Sequence, residues 1–277
     1  MKIGITGGRG VLGRRIADAL AQRQHQIVPL PGDVRDRDTV FQWATGLDAL
    51  VHAAAVTPVS VVRQDIPQAV ATNVFGTSLV ATAAGLTRTG HITYISSSHV
   101  YRGSPTPIAE DHQLAPTSPY GLSKWQGEQW VQAITDNYLI IRMFSYFSSN
   151  QQEGFLVPAL AKRISDAPEH AVLELHNPSA VRDIADADWM ATVCAQLIHN
   201  QETGVVNCGT GRGTTVRDIA DTLLARLGRT ECSWRWVTNH ADRLVADTTL
   251  LQRKLTTLPP FSLEEALTRF VKEFGTP

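Results

Sequence analysis

Short apolar runs alternate with amphipathic stretches along the first half of the chain. The apolar runs predict β-strands at Lys2–Thr6, Gln26–Leu30, Ala49–His52, Ile92–Ser96 and Leu139–Met143. The amphipathic stretches predict helices at Leu12–Arg23, Asp38–Thr45, Gln68–Thr87 and Tyr120–Thr135. Strands that alternate with helices predict parallel βαβ units with right-handed crossovers. Because the strands are apolar on both faces, we expect helices to cover both sides of the sheet.

The second half of the chain has a less regular pattern. It predicts helices at Leu156–Ile164, Asp186–His199, Thr215–Leu227 and Ser262–Phe274, with a strand at Val205–Cys208. We therefore predict an α/β fold with a doubly wound parallel sheet and a smaller, interleaved C-terminal substrate lobe. Residues 1–142 are expected to form the larger unit, with 181–208 returning to it. Residues 143–180 and 209–277 are expected to form the smaller lobe.

A glycine-rich loop follows the first predicted strand, where the sequence from Gly4 to Gly13 reads GITGGRGVLG. One glycine permits a tight turn, a second lets the backbone approach a pyrophosphate, and a third allows close helix–strand packing. The helix that follows would offer free N–H groups to the phosphates. The spacing fits Gly7, Gly10 and Gly13, and equally a frame that starts at Gly8. The loop predicts a Rossmann-type dinucleotide site.

The residues around this loop favour NADP(H) and leave NAD(H) open. An NAD enzyme usually has an acid about 20 residues beyond the motif, which holds the ribose hydroxyl. The second strand ends at Leu30–Pro31 without an acid, and Asp33 lies in the turn beyond it. Arg9, inside the loop, offers a guanidinium to a 2′-phosphate. The alternative is that Arg9 is a solvated surface charge.

Tyr120 and Lys124 form a Y-x-x-x-K pattern on a predicted helix. Residues four apart share a helix face, so the ammonium is expected near the phenol. A nearby cation lowers the pKa of a phenol and makes it usable as an acid or base. Upstream, Ser96–Tyr101 follows a strand, where hydroxyl groups face the ligand crevice of an open α/β sheet.

Composition narrows the possible partners and cofactors. The net charge of −1 over 277 residues gives no basic field for nucleic acid. Cys194, Cys208 and Cys232 form no C-x-x-C pair, and the nine histidines form no H-E-x-x-H, so no metal is predicted. A secretory signal and a long uninterrupted apolar span are not found, so we expect a cytoplasmic protein without a membrane segment.

Several ordered motifs together resemble the extended short-chain dehydrogenases/reductases, and more narrowly their nucleotide-sugar epimerase, dehydratase and reductase branch. The motifs are Thr6–Gly13, His52–Ala55, Asn73–Thr77, Ser96–Tyr101, Tyr120–Lys124, Arg142–Phe144, Val181–Asp183, Asn207–Gly211 and Asp242–Asp247. The resemblance covers nearly the whole chain. It implies an enzyme that acts on a small molecule, most simply a sugar nucleotide, and that forms a homodimer.

The resemblance also implies roles for individual residues. Ser97 takes the place of the catalytic Ser/Thr, with Ser98 as the alternative. Tyr120 takes the place of the proton donor or acceptor, and Lys124 takes the place of the residue that orients the nicotinamide ribose. The cofactor positions it implies are Gly7, Arg9, Gly10, Val11, Leu12, Gly13, Asp33, Val34, Ala53, Ala54, Ala55 and Asn73, beside Tyr120 and Lys124. Substrate contacts are implied for Ser97, Ser98, Arg182 and Arg243, the arginines facing a diphosphate.

Departures from the family pattern bear on the reaction. Sugar dehydratases of this type have an acid pair where this chain has Ser98 and His99. In enzymes like GDP-fucose synthase the position of His99 holds a base, but the partner acid falls at Phe155. His99 is therefore a tentative catalytic residue, or a polar part of the wall. An NADPH-dependent ketoreductase acting on a nucleotide-linked deoxy sugar is favoured over an NAD-dependent C4 epimerase.

The sequence also allows two other functions. One is a non-catalytic sensor of the dinucleotide, which typically lacks the tyrosine–lysine pair. The other keeps the enzyme and changes the substrate to a steroid, a flavonoid or another small carbonyl. The shape of the pocket is expected to come from the loops Val56–Pro67, Tyr101–Ala115 and Ser145–Phe155.

Overall fold

The computed structural model describes residues 1–87, 89–152, 154–238 and 240–274. Among them the strands are β1 (Lys2–Thr6), β2 (Gln26–Pro29), β3 (Ala49–His52), β4 (His91–Ser97), β5 (Tyr138–Met143), β6 (Ser145–Phe147), β7 (Val172–His176), β8 (Val181–Asp186), β9 (Gly204–Cys208), β10 (Gly213–Thr215), β11 (Ser233–Thr238) and β12 (Arg243–Leu244). The α-helices are α1 (Val11–Ala21), α2 (Arg37–Ala44), α3 (Val59–Gln64), α4 (Ile66–Val70), α5 (Thr77–Leu86), α6 (Pro119–Ile134), α7 (Leu156–Ser165), α8 (Ala187–His199), α9 (Val216–Arg226), α10 (Thr249–Lys254) and α11 (Leu263–Phe274). A π-helical turn, Ala71–Gly76, joins α4 to α5, and a 3-10 turn, Ser98–Val100, follows β4.

Parallel strands form the larger sheet, in the order β2-β1-β3-β4-β5-β9. Helices α1 and α8 pack on one face around Ile5, Ile141 and Val206. Helices α2, α5 and α6 cover the other face around Leu50 and Tyr94. Each of these strands was predicted to within one residue at either end. Strands β1, β3, β4 and β5 are buried on both faces, which gives a continuous apolar run, whereas the edge strand β2 is only partly buried. The predicted Rossmann-type fold is confirmed.

The strand order places a switch point between β1 and β3. From β1 the chain moves outward to β2 and then returns to the other side of β1 to form β3. At such a point the crossovers diverge, and a crevice opens outside the carboxyl ends of the strands. The glycine loop follows β1, and Ser97 ends β4. The predicted functional residues therefore converge on one edge of the sheet.

The smaller lobe has its own sheet and core. Its sheet runs β10-β8-β12 with β6 beside β8, and β7 pairs with β11 in a separate parallel ribbon. Helices α7, α9 and α11 bury Leu160, Leu223 and Phe270 in this lobe. Within 181–208, β8 belongs to the smaller sheet, whereas α8 packs on α1 and β9 joins the larger sheet. The chain thus crosses between the lobes more than once.

Several elements differ from the predicted secondary structure. The strands β6, β7, β8, β10 and β11 of the smaller lobe were not predicted. The single helix predicted at Gln68–Thr87 is divided into α4, the π-helical turn and α5. Helices α3 and α10 have six residues each, and β12 has two, and none of them was predicted. Such elements are too short to show a hydrophobic period, and tertiary contacts stabilise them.

One helical run among the described residues, Ile66–Leu86, is long and apolar enough to cross a membrane when judged by length and composition. In the fold its α5 portion lies against the larger sheet, with Leu79, Val80 and Ala83 buried. A helix of the sheet layer has the same apolar composition as a spanning helix. The expectation that the chain has no membrane segment stays a prediction.

Candidate active site

The loop after β1 turns on glycines that have no room for a side chain. Gly7 has a φ of +69°, and a Cβ there would lie 2.6 Å from the nitrogen of Ala54. A Cβ on Gly13 would overlap the carbonyl oxygen of Gly7. Gly8, by contrast, would place a Cβ no closer than 3.4 Å to a neighbouring atom. The structure therefore selects the frame of Gly7, Gly10 and Gly13 over the frame that starts at Gly8.

Helix α1 presents its first N–H groups directly behind this loop. Gly10 is the N-cap residue and supplies no side-chain hydrogen bond, and the first turn has no acidic residue. Free backbone donors at the positive end of a helix bind anions well. The glycines allow a phosphate to approach the backbone where a Cβ would block it. This end of the crevice fits the diphosphate of a dinucleotide.

A buried chain of hydrogen bonds fixes the ends of β1 and β3. The hydroxyl of Thr77 donates to the carbonyl of Asn73 at 2.6 Å, so it accepts from Nε2 of His52 at 2.9 Å. Nδ1 of His52 then accepts from the hydroxyl of Thr6 at 2.6 Å, and that oxygen accepts from the Ala54 amide. Burial lowers the pKa of His52 to about 3, with Lys124 acting in the same direction. His52 is therefore a neutral structural link.

Asn73 joins the loop after β3 to helix α6. Its amide group donates to the Val56 carbonyl at 3.2 Å and to Ser123 Oγ at 3.1 Å, and its oxygen accepts from the Val56 amide at 2.7 Å. The side chain is buried within the π-helical turn, a feature common near functional sites. Asn73 thus fixes the cleft wall from behind and does not line the cavity.

A cavity of about 730 Å³ opens over the carboxyl ends of the larger sheet. The predicted site residues that line it are Gly7, Arg9, Gly10, Val11, Leu12, Gly13, Ala53, Ala55, Ser97, Ser98, His99, Tyr120, Lys124 and Arg182. The predicted site residues that do not line it are Asp33, Val34, Ala54, Asn73 and Arg243. The fold therefore brings the glycine loop, the serines and the tyrosine–lysine pair into one space.

Tyr120 lies at the start of α6, against the end of β4. Ser118 is the N-cap residue, and its hydroxyl accepts from the Gly121 amide at 3.1 Å. A Cβ on Gly121 would overlap the carbonyl oxygen of His99, so glycine lets the helix approach the turn after β4. Burial raises the pKa of Tyr120 to about 12, against the lowering effect of its hydrogen bond with Ser97. The phenol is protonated at neutral pH.

Lys124 is buried one helical turn further on, with 2% of its surface exposed. Burial lowers its pKa to about 7, and the Glu128 carboxylate opposes that shift. Its ammonium nitrogen lies 4.2 Å from the centre of the Tyr94 ring. The prediction that this ammonium lowers the pKa of Tyr120 is wrong for this structure. Burial of the phenol dominates, and the group that lowers its pKa is Ser97.

Glu128 and Arg142 form a buried ion pair behind the site. The guanidinium contacts the carboxylate at 2.7 Å and 3.0 Å, and the side chains are 0% and 5% exposed. Ser96 Oγ donates to Glu128 at 2.5 Å, and Arg142 donates to the Tyr101 hydroxyl at 2.7 Å. Sequence reasoning missed this network. The available signals were an arginine within a buried strand and a glutamate four residues after Lys124.

His99 and Arg182 form part of the wall near Tyr120. The rings of His99 and Tyr120 meet edge to face, with centres 5.6 Å apart. Burial lowers the pKa of His99, and Arg182 lowers it further while Asp242 opposes the shift. Arg182 donates to both carboxylate oxygens of Asp242 at 2.9 Å. The wall therefore carries a neutral imidazole and a guanidinium already held by a carboxylate.

Three predicted ligand residues lie away from the cavity. The carboxylate of Asp33 binds Arg35, whose hydrogen bonds lower the pKa of Asp33 to about 2. Val34 is buried beneath Gly76, where a Cβ would lie 2.7 Å from it. Arg243 belongs to β12 and pairs with β8 through its backbone. Arg243 does not line the cavity, and its predicted substrate contact stays a prediction.

Two of the three predicted pocket loops line the cavity. Thr57 and its neighbours come from the loop after β3, and Tyr146 and Phe155 come from the segment that begins at β6. The described residues of 101–115 do not line it. A bridge between Tyr101 and Leu114 closes that loop on itself, and a bridge between Ile108 and Ala246 holds it against the smaller lobe.

The cysteines Cys194, Cys208 and Cys232 are free and buried. Within the part of the chain that the structure describes, no three His, Cys, Asp or Glu side chains are grouped so that they could hold a metal ion. The expectation of a metal-free site stays a prediction.

Comparison with known proteins identifies the family. A family model described as the RmlD substrate binding domain matches residues 1–250. The chain belongs to this family. A dTDP-glucose 4,6-dehydratase of Streptomyces niveus is 26% identical over 253 residues, 87% of this chain and 74% of that protein. A dTDP-4-dehydrorhamnose reductase of Mycolicibacterium smegmatis is 31% identical over 146 residues, 51% of this chain and 44% of that protein.

Solved structures share the fold along the whole chain. DesIV, a dTDP-glucose 4,6-dehydratase from Streptomyces venezuelae with NAD and TYD bound, has a TM-score of 0.89 at 23% identity and covers 99% of this chain and 97% of that chain. RMD from Pseudomonas aeruginosa, complexed with NADPH, has a TM-score of 0.87 at 22% identity and covers 99% of each chain. With the family match, this RmlD-family chain is an extended short-chain dehydrogenase/reductase enzyme of the nucleotide-sugar branch, as its motifs predicted.

Proposed function

We propose that this enzyme reduces a nucleotide-linked keto-deoxy sugar with NADPH. The observation that carries the proposal is the composition of the cavity wall around Tyr120. The described lining includes Ser97, His99 and Lys124, and no described lining residue is an aspartate or a glutamate. Reduction of a carbonyl needs a proton donor beside the oxygen, which Tyr120 is. Dehydration of a sugar by the family's route needs an acid pair, which this wall does not offer.

Each residue of the site has a distinct task in this reduction. When bound, a reduced nicotinamide supplies the hydride for the carbonyl carbon. The glycine loop and the start of α1 are suited to hold the diphosphate of the cofactor, and Lys124 is placed to bind its ribose. Tyr120 donates its phenolic proton to the carbonyl oxygen, which becomes the alcohol oxygen. Ser97, which lowers the pKa of the Tyr120 phenol and lines the same cavity, donates to the same oxygen and stabilises its growing negative charge.

The raised pKa of Tyr120 suits the reductive direction. A phenol with a pKa of about 12 is protonated at neutral pH and holds the proton that reduction consumes. Oxidation would instead require the phenolate, which this environment disfavours because burial removes water from the charged form. The imidazole of His99 is neutral and lies against the Tyr120 ring, so it serves as a hydrogen-bonding part of the wall in this proposal.

The cofactor preference rests on charge near the glycine loop. Arg9 is exposed and lines the cavity beside Gly10. No acid ends β2, and the nearest one, Asp33, is already bound by Arg35. A ribose hydroxyl therefore finds no free carboxylate there, whereas a 2′-phosphate finds a guanidinium. Related structures contain NAD in one case and NADPH in another, so the choice depends on these residues.

Arg182 is the residue that we assign to the diphosphate of the sugar nucleotide. Its guanidinium lines the cavity and is 23% exposed, so an anion can reach it. The planar fork that now binds Asp242 fits a phosphate equally well. The relatives named above act on dTDP-linked sugars according to their names. A nucleoside diphosphate sugar is the class of substrate that this wall accommodates.

We further propose that the protein is a homodimer. Helix α6 and the neighbouring run from α4 through the π-helical turn share an exposed apolar face. Its residues, between 37% and 52% exposed, are Ile66, Val70, Phe75, Leu122, Trp130 and Ile134. Contiguous apolar surface of this kind marks protein interfaces. A two-fold axis across this face would pair the same helices from both copies.

The proposed reaction is tested with purified enzyme, NADPH and a panel of keto sugar nucleotides that includes dTDP-4-dehydrorhamnose. The expected result is loss of NADPH absorbance in step with formation of the alcohol, and loss of that activity in Tyr120→Phe. Copurification of NAD with interconversion of sugar epimers and no net redox change would support the C4 epimerase. Equal activity of the wild type and Tyr120→Phe on every sugar would contradict a catalytic role for the tyrosine.

A further inference from the structure

The ring of Tyr94 lies directly beneath the ammonium of Lys124. Tyr94 is in the middle of β4 and is fully buried. The ammonium nitrogen of Lys124 lies 4.2 Å from the ring centre, and the Tyr94 hydroxyl lies 3.5 Å from the Lys124 carbonyl oxygen. We propose that Tyr94 is a positioning residue whose ring face holds Lys124 charged and in place. This inference rests on the proposed function, in which Lys124 binds the cofactor ribose.

Gly127 shows that helix α6 leaves space for this ring. A Cβ on Gly127 would overlap the Tyr94 hydroxyl and lie 2.7 Å from the carbon that carries it. Glycine in the middle of a helix destabilises that helix relative to alanine. Here glycine is required, because any side chain would displace the ring. The pairing of a large residue at 94 with glycine at 127 seats an aromatic face under Lys124.

The Tyr94 ring and the Glu128 carboxylate are the two groups beside Lys124 that favour its charged form. From β3, His52 stacks on Tyr94 with ring centres 5.6 Å apart and is neutral, since burial lowers its pKa to about 3. From α6, Tyr120 is a protonated phenol, and Glu128 attracts the ammonium but is also bound to Arg142. A lysine in a dry site with a shared carboxylate favours its neutral form. The negative face of an aromatic ring opposes this.

Removal of the ring should therefore change the titration of Lys124. Cation–π attraction to a desolvated ammonium is large enough to move a lysine titration by about half to one pH unit. The ring face, and not the phenol oxygen or the volume of the side chain, is the part that acts. Tyr94→Phe keeps the ring. Tyr94→Leu removes it, and Tyr94→Leu with Gly127→Val removes it while refilling the space between strand and helix.

The direct measurement is the titration of Lys124 by NMR in protein that carries isotope-labelled lysine. The chain has only five lysines, Lys2, Lys124, Lys162, Lys254 and Lys272, so the signal is assigned by its loss in Lys124→Met. We expect Lys124 to titrate at the same pH in Tyr94→Phe as in the wild type. In Tyr94→Leu and in the Tyr94→Leu/Gly127→Val double variant, Lys124 should titrate about half to one pH unit lower.

The double variant separates electrostatics from packing. If Lys124 in the double variant titrates at the same pH as in the wild type, the ring only fills space between strand and helix, and the proposal is overturned. The proposal is also overturned if Tyr94→Phe shifts the titration of Lys124 as far as Tyr94→Leu does, since the hydroxyl and not the ring face would then support the ammonium. Should Tyr94→Leu fail to fold, the pair Tyr94→Met with Gly127→Ala supplies a second ring-free protein. The titration needs no substrate, so it stands even if the ketoreductase assay fails.

Discussion

Replacement of Glu128 by glutamine should destabilise the whole protein through Arg142. The substitution keeps the volume of the side chain and removes its charge, while Arg142 stays 5% exposed. Breaking a buried ion pair by removing one partner costs roughly 3–5 kcal/mol. Arg142 retains its hydrogen bonds to the Tyr101 hydroxyl and the Glu110 carbonyl, so we expect about 3 kcal/mol. At about 2–4 °C per kcal/mol, the melting temperature should fall by roughly 6–12 °C.

A double variant provides the control for this prediction. Glu128→Leu with Arg142→Met removes both charges of the pair and should be clearly more stable than Glu128→Gln, because no buried arginine is left without its carboxylate. Urea unfolding at constant pH measures the free energy of unfolding of Glu128→Leu, of Arg142→Met and of their double variant. The double-mutant cycle formed by these proteins gives the coupling energy of the pair. Two results would show that the buried pair does not stabilise the fold in this way. One is a loss of less than about 0.5 kcal/mol in Glu128→Gln. The other is a double variant whose loss equals the sum of the two single losses.

Further predictions concern catalysis, cofactor choice, pH and assembly. Tyr120→Phe should lower kcat roughly 100- to 10,000-fold with the Kd for NADPH unchanged, measured by steady-state kinetics and fluorescence titration; an equal rise in Kd would point to lost binding instead. Arg9→Ala should raise the Kd for NADPH roughly tenfold or more and leave that for NADH unchanged, and a parallel change in both would contradict the 2′-phosphate assignment. The pKa of Lys124 falls from 10.5 in the unfolded chain to about 7 in the fold. Below pH 7 the folded protein therefore buries a charged lysine, which lowers its stability, and above pH 10.5 this loss disappears because the lysine is neutral in both states. Lys124→Met should therefore unfold at higher temperature than the wild type at pH 7, with the gap shrinking towards pH 10; a gap independent of pH would argue against the shift. Phe75→Asp, at a half-exposed position, should halve the mass measured by light scattering, whereas a wild type that is already monomeric would exclude the dimer.

Local sequence rules locate the cofactor end of the site but leave its register open. The sequence fits a frame that starts at Gly7 or at Gly8, and the structure selects Gly7 because a Cβ there would meet Ala53 and Ala54, in the loop after β3. The strand that carries Ser97 is apolar on both faces, so its end was located to within one residue. Tyr120 and Ser97 meet because parallel strands and their following helices share one edge of the sheet.

Contacts between distant segments lie outside such rules. Glu128 binds Arg142 on another element, and Tyr94 reaches Lys124 because Gly127 leaves it room. Neither contact follows from a periodic pattern of residues along the sequence. The expected effect of Lys124 on Tyr120 was wrong because spacing on a helix does not report burial, which dominates both pKa values. The exact turn of each loop likewise depends on tertiary contacts, as in the segment 101–115 that packs on the smaller lobe.

In the proposed reaction, a hydride passes from NADPH to a sugar carbonyl carbon while Tyr120 supplies the proton. The most direct test is a reaction with NADPH that carries deuterium at the transferable position of its nicotinamide, followed by mass and NMR analysis of the sugar nucleotide. We expect one deuterium, bound to the new carbinol carbon, for each NADPH consumed. A product without deuterium, or an epimer formed with the reduced cofactor unconsumed, would contradict it.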